Sequence, residues 1–386
     1  MIQTPSGESV AKNRKVTEEE LVSRIKTEIT DSLGYGDEIS KQRETAMEYY
    51  YGLPFGNEVE GRSQFVDSTV ADTIEWIKPS LMRVFASGDE MVKFTPHGPE
   101  DVAMAEQATD YVNYVFTKDN PGWEILYSWF TDALLSKNGI VKVWWDEYEE
   151  EAREEYNGLD ENGLQYLLMD EGVEVLEHTE NLAEDNVVYH DIVIKRTSYD
   201  GRIKIENVPP SEFLISREAK NIQDSRFVCH RVKKTLSELR EMYPDENLGP
   251  EDLSSGEYDD VFPGERESRF NFDNSSGFTF GESEHEEALR SYWLHESFLK
   301  TDFNSDGIAE LRKVCTVGDK VLQNDEIDSI PFVSITPVKI PHKFFGLSVA
   351  DLVMDLQLMK STLTRNLMDN MYNQNFGRYA VKEGQA

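Results

Sequence analysis

Cysteine, positive charge and long apolar runs are all scarce in this chain, and each scarcity excludes something. Only two of the 386 residues are cysteine, Cys229 and Cys315, far apart and outside any CxxC pattern. A disulfide framework is thereby excluded, and two reduced, buried thiols in a reducing compartment are expected. No stretch approaches the roughly 18 consecutive apolar residues of a membrane span. The opening MIQTPSGESVAKNRK has no apolar core, so no secretory signal is read there and a soluble protein made in a cytoplasm is expected. Lysine and arginine total 39 against 74 aspartate and glutamate, a net charge of -35. Such a surface repels nucleic-acid phosphates, which argues against tight binding by counterion release. Two readings of the charge stay open: plain solubility, or a surface that must lie near nucleic acid without adhering to it.

Catalytic signatures are missing too. There is no GxSxG, no HExxH and no phosphate-binding loop with its lysine. The histidines (His97, His178, His190, His230, His285, His295 and His342) are scattered, and acidic pairs are too common to be informative. Nothing argues for an enzyme.

What is present suffices for a core: 39% hydrophobic residues, with 17 Tyr, 19 Phe and 6 Trp. Thr17 with Glu20 forms a capping box for a helix to about Leu33, which Gly34 and Gly36 are expected to break before a second helix from Asp37 to about Tyr50. Gly52, Pro54, Gly56 and Gly61 mark a loop. Ser68–Phe85 carries Val70, Ile74, Ile77, Leu81 and Phe85 on one helical face, with a kink expected at Pro79. Pro99 suits the first turn of another helix to about Phe116, and Trp123–Lys137 reads as a further one capped by Asn138-Gly139.

At Ile140 the period changes to that of a strand. From Asp146 an acidic stretch follows in which Arg153 is almost the sole base, read as a solvated helix face or mobile insertion over about 146–185. Val187–Tyr199 and Arg202–Val208 read as a hairpin about Asp200-Gly201. Arg226–Lys233 is a strand, Thr235–Tyr243 a short capped helix, and about 245–287 a flexible loop. Leu289–Lys300 and Ile308–Val317 are strands around an Asp/Asn/Gly turn, and Pro331–Pro341 is extended. Helices, then antiparallel strands, then one long helix indicate an α+β fold without βαβ alternation.

That last helix is the most conspicuous element. Val349, Leu352, Val353, Leu356, Met359, Leu363, Leu367 and Met371 recur at three- and four-residue steps, and Ser348 with Asp351 makes an approximate capping box. From Ser348 to Asn375 it would span roughly 40 Å. Nothing after it in the sequence is long enough to return along it, so an apolar partner is expected elsewhere. Met354, Met359, Met368 and Met371 form a methionine-rich packing face. Lys360 and Arg365, among Asp351, Asp355 and Asp369, are read either as salt-bridge partners or as contacts to phosphate or a neighbouring subunit.

One pattern is metal-like. Asp302, Asn304 and Asp306, with Gly307 at the sixth position, match the start of a calcium loop that Glu310 could complete. The twelfth position is Lys313 and the flanks read as strands, both wrong for an EF-hand. A metal-free turn and a Ca²⁺ site are both carried forward, the latter as the alternative function of an acidic calcium-binding or protein-interaction module.

Four blocks together, EGRSQFVDSTVADTIEWIKPSLMRVF, WEILYSWFTDALLSKNGIVKVWWD, DFNSDGIAEL and PHKFFGLSVADLVMDLQLMKSTLTRNLMDNMYNQN, resemble in order and spacing the portal (head–tail connector) proteins of short-tailed, podovirus-type bacteriophages. The likeness extends from about residue 40 to the end. It implies a non-enzymatic homo-oligomer, usually a dodecamer, forming a ring at one capsid vertex of the virion after assembly in the host cytoplasm. Double-stranded DNA would be packaged and ejected through its channel, with terminase, a tail adaptor, and the major capsid protein or scaffold as partners. No cofactor is implied beyond the possible Ca²⁺. Residues 1–50 would be a helical arm, 51–340 a wing of helices and antiparallel strands, 341–375 the first stem helix, and 376–386 the chain entering the clip. The return stem helix, tunnel loop and crown have no counterpart, so the likeness implies a portal truncated at its C-terminus. Lys360, Arg365, Asp355 and Asp369 become candidates for the channel or subunit interface, and Arg378, Tyr379 and Lys382 for the face towards adaptor or terminase.

Overall fold

Capping chemistry opens the first element where the sequence places it. In the computed structural model, which describes residues 16–86, 88, 90–170, 172–182, 188–244, 246, 248–249, 263–270 and 287–375, helix α1 (Glu18–Tyr51) starts on the Thr17–Glu20 capping box. It then runs 34 residues without the break expected at Gly34 and Gly36. Each glycine costs roughly 1 kcal/mol in a helix. The buried stripe Leu21, Ile25, Ile29 and Leu33 continues through Ser40, Arg43 and Met47, and that burial outweighs the two glycines. The glycine that does end the helix is Gly52, left-handed at φ 66°.

The chain divides into two compact units. The first holds the described residues of Met1–Met91, Trp123–Lys142 and Glu206–Ala386; the second holds those of Val92–Gly122 and Val143–Ile205.

In the first unit, α2 (Thr69–Ala86) runs through Pro79, and α4 (Gly122–Ser136) leads to strand β1 (Gly139–Leu159). The turn between them is not the expected glycine cap. Lys137 takes the left-handed conformation (φ 73°), and Gly139 starts the strand, where a Cβ would run into the Trp129 backbone and indole. An antiparallel sheet of order β4-β5-β6-β7-β8 follows, from β4 (Phe213–Ile215), β5 (Phe227–Thr235), β6 (Ser291–Thr301), β7 (Glu310–Val317) and β8 (Lys320–Glu326). Its side chains alternate between two cores, as a period of two requires. Leu214, Phe227, Cys229 and Leu299 meet α1, while Phe213, Ile215, Val228 and Phe298 meet Phe332, Phe344 and Phe345. Both thiols are free and buried, and burial pushes that of Cys229 up to about 12. Strand β9 (Phe332–Ile335) pairs antiparallel with the first four residues of β1, Gly139↔Ile335 to Lys142↔Phe332. Helix α6 (Leu236–Met242) has its own capping box on Thr235 and Glu238. Within the expected loop 245–287, Pro263–Phe270 instead forms α7, because Glu265 is drawn into a buried charge cluster with Arg43; the rest of that loop lies outside the described residues apart from residues 246, 248–249 and 287.

The second unit contains α3 (Val102–Tyr114), entered from a short 3-10 turn at Pro99–Asp101 and extended by a π-helical turn, Val115–Asp119. Here the acidic stretch departs from expectation. It forms the outer part of β1, α5 (Glu161–Leu168) and β2 (Val173–Leu182), the last paired antiparallel with β3 (Val188–Val208). Strand β3 supplies the cations the acidic stretch lacks: Lys195 meets Glu151 at 2.6 Å, Arg196 meets Glu154 at 3.3 Å and Arg202 meets Asp146 at 3.5 Å. Strand β3 also runs straight through Asp200-Gly201, the expected hairpin turn. Gly201 is there for space, because a Cβ would collide with the Trp145 ring.

Candidate functional site

The long C-terminal helix α8 (Val349–Asn375) begins as the sequence indicates. The Ser348 amide donates to Asp351 Oδ2 at 2.7 Å, and the Asp351 amide donates to Ser348 Oγ at 3.0 Å. The buried Lys137 ammonium lies 2.5 Å from the same Asp351 carboxylate, which ties the left-handed turn before β1 to the helix start. Ala350, Val349, Val353 and Met354 then pack on Ala46, Met47, Val70, Ile74, Leu134 and Leu135.

Beyond this first turn the helix is seated by polar side chains at four-residue steps. Gln357 is fully buried and joins two helix ends: its Oε1 accepts from the Val70 amide at 2.8 Å, and its Nε2 donates to Tyr49 O at 2.9 Å. Ser361, also fully buried, accepts from the Asp67 amide at 2.9 Å. Arg365 donates to Phe65 O (2.6 Å) and Asn57 Oδ1 (2.6 Å) and pairs with Glu58 Oε1 (2.5 Å), its guanidinium over the Phe55 ring. Asp369 accepts from the Ser63 amide at 2.9 Å. Residues 57–69 thus form a cradle into which one side of α8 is keyed.

The opposite side is apolar and open. Leu352, Leu356, Met359, Leu363, Leu367 and Met371 are all exposed, Leu363 to 69% and Leu367 to 61%. At 100° per residue these six cluster away from Gln357, Ser361 and Arg365. The expected apolar periodicity is real, but apart from Val349, Val353 and Met354 it is not, among the described residues, the face that packs on other elements. Of the methionines, Met354 packs inward while Met359, Met368 and Met371 are exposed.

The structure also places the charged candidates. Arg365 serves its own chain, as the salt-bridge reading of the sequence has it: acceptors on Phe65, Asn57 and Glu58 engage the guanidinium. Lys360 pairs with Asp67 at 3.1 Å and donates to Thr69 Oγ1 at 2.7 Å, with its side chain half exposed. Burial works to raise the Asp67 pKa, but hydrogen bonds from Thr69 and Lys360 outweigh it and hold the carboxyl below its usual value. Asp355 is exposed on the flank of the helix. Arg378, Tyr379 and Lys382 lie outside the described residues. Sequence reasoning passed over Gln357 and Ser361; their signal was a polar series, 357–361–365–369, inside an otherwise apolar helix.

The calcium-like turn is occupied with itself. Asp302 Oδ1 accepts from the Asp306 amide (3.0 Å) and its Oδ2 from the Gly307 amide (2.9 Å), while Asp306 Oδ1 accepts from the Ile308 amide (2.7 Å). Asn304 donates to Glu310, whose other oxygen pairs with Arg312 at 3.0 Å. The oxygens of Asp302, Asp306 and Glu310 are therefore directed at amides and a guanidinium, with Gly307 at φ 92° closing the turn. This use of the oxygens gives the calcium-binding alternative no support.

Compared with known families, residues 21–386 match the one described as Phage SU10 portal protein. The chain belongs to this phage portal protein family. The resemblance carried by the four sequence blocks is thereby shown, and the mixed helix and antiparallel-sheet fold agrees with it. No curated protein matches the chain in sequence. Among the described residues, no helix of this portal protein is long and apolar enough to cross a membrane.

Proposed function

We propose that this portal-family chain works as a ring of identical subunits, twelve in number, at one capsid vertex, through which double-stranded DNA enters during packaging and leaves during ejection. The observation that carries the ring is the exposed apolar side of α8. A run of leucines and methionines this long is costly to leave in water on a single subunit, and contiguous exposed apolar surface marks an interaction site. Copies arranged head-to-tail around a closed ring cover such faces without leaving a free edge. In this reading residues 51–340 form the wing after a helical arm, α8 is the first stem helix, and 376–386 lead towards the clip with Arg378, Tyr379 and Lys382 facing terminase or the tail adaptor. Lys360 and Asp355, at the flanks of the seated side, face the channel or a neighbour, and Arg365 and Asp369 act there indirectly by holding the 57–69 cradle.

The role is structural and not catalytic, and the subunit works in the virion after assembly in the host cytoplasm beside major capsid protein or scaffold. A net charge of -35 suits a passage that lets DNA slide without gripping it. Sedimentation velocity and negative-stain electron microscopy of the purified chain over a range of concentrations test the reading. Rings with a central hole are expected; a sharp monomer at every concentration, with no rings in the images, overturns it.

A further inference from the structure

We propose that His178, Glu180 and His190, in the second unit, form a binding site for a divalent transition-metal ion, zinc being the ion that its donors suit. The site arises from strand register. Strands β2 and β3 pair Glu180 with His190 and His178 with Ile192, so both residues of β2 lie on the face that carries His190. Their ligand atoms all lie within 4.8 Å of one another. His178 Nε2 and His190 Nδ1 approach to 3.0 Å, edge to edge. Tetrahedral zinc with bonds of about 2.0–2.1 Å holds its ligands about 3.3 Å apart, so a small opening of the pair admits the ion. Two imidazoles and one carboxylate, with a fourth position left for water, favour zinc over calcium or magnesium, which prefer oxygen donors throughout.

Glu161 supplies the feature that separates this arrangement from a chance pair of histidines. Its Oε2 lies 3.3 Å from His190 Nε2, on the far side of the buried ring. A carboxylate accepting the Nε2 proton fixes the tautomer that leaves the Nδ1 lone pair directed at His178 and Glu180, the usual means by which a metal-binding histidine is oriented. Glu161 begins α5, so the ion would fasten α5, β2 and β3 together in a strongly acidic part of the chain, where a dication also relieves repulsion among carboxylates. The inference is independent of ring formation.

The test uses the full chain stripped with EDTA, titrated calorimetrically with zinc chloride and, separately, with cobalt(II) followed by its visible ligand-field bands. One ion per chain is expected, with nitrogen-ligand bands for cobalt. H178A, at an exposed position where folding is not at stake, should weaken zinc binding by at least about 100-fold. E161Q should weaken it by about 10–100-fold, the range seen when the partner of a ligating histidine is removed. H342A, exposed in the first unit, should bind as the wild type does. No zinc uptake by the wild type at micromolar ion, or equal uptake by H178A and the wild type, overturns the proposal, leaving the two rings as a hydrogen-bonded pair alone.

Discussion

Replacing Glu296 by glutamine should be among the most damaging isosteric changes in the first unit. Glu296 sits on β6 at 7% exposure, with Lys142 of β1 2.5 Å away, Lys313 of β7 3.2 Å away and His230 of β5 3.6 Å away. Burial works to raise its pKa. The nearby His230 ring and the charges of Lys142 and Lys313 outweigh burial, so the carboxyl ionises far below the usual range. The Lys313 ammonium is in turn held protonated: burial disfavours its charge, and Glu296 more than restores it. E296Q keeps the shape and removes the carboxylate charge that Lys142 and Lys313 share. Breaking a buried pair from one side costs about 3–5 kcal/mol. Because the Lys313 side chain is 28% exposed and can turn to water, about 3 kcal/mol is expected. For a unit of this size that lowers Tm by roughly 6–12 °C at pH 7. The pH dependence has a definite sign. A carboxyl whose folded pKa is depressed contributes stability above its unfolded value, about 4.3, and loses it as pH falls towards the folded value. The gap between wild type and E296Q should therefore be full at pH 7 and narrow steadily below about pH 4. Calorimetric melts from pH 7 to pH 3 measure both effects. Equal melting temperatures at pH 7, or a gap that does not change with pH, would refute the reasoning.

Other outcomes follow from the same contacts. L363E/L367E should leave the fold of the isolated chain intact, since both residues are exposed there, yet raise the dissociation constant of the assembly by about 10²–10⁴, taking about 1.5–3 kcal/mol per leucine; sedimentation of the variant against wild type measures it. Burial pushes the Asp132 carboxyl up to about 6, against the pull of Arg269 and Arg43. The folded chain then holds a proton that the unfolded chain releases, so stability should fall as pH rises from about 4 to 6. Denaturant titrations at the two ends of that window should show the fall in wild type and not in D132N. G201V should destabilise the second unit by about 1–3 kcal/mol through collision with Trp145, visible as a lower denaturation midpoint.

Features decided by a few adjacent residues were legible in the sequence. The capping residues Thr17, Thr235 and Ser348 each mark a helix start that the structure keeps, because a cap needs only the three residues after it. Features decided by distant partners were not. Gly34 and Gly36 read as a break only while the continuous burial along α1 is out of view. Asp200-Gly201 reads as a turn until Trp145 is known to need the space. The acidic run reads as a helix face or mobile insertion until Lys195, Arg196 and Arg202, some forty-two to fifty-six positions further on, come to pair with its strand. The same division holds at α8. Its apolar period shows that a hydrophobic face exists. Only the partners of Gln357, Ser361 and Arg365 show that this face is turned outwards.

Those three side chains have a further consequence. A helix held only by greasy contacts can roll about its own axis, and half a turn would let the leucines of α8 hide against their own subunit. Gln357 cannot roll without abandoning the Val70 amide and the Tyr49 carbonyl together, and Arg365 cannot without stranding Glu58. The polar series acts as an azimuthal lock. It withholds the apolar stripe from the subunit that carries it and leaves it open to the neighbour that the proposed ring would bring.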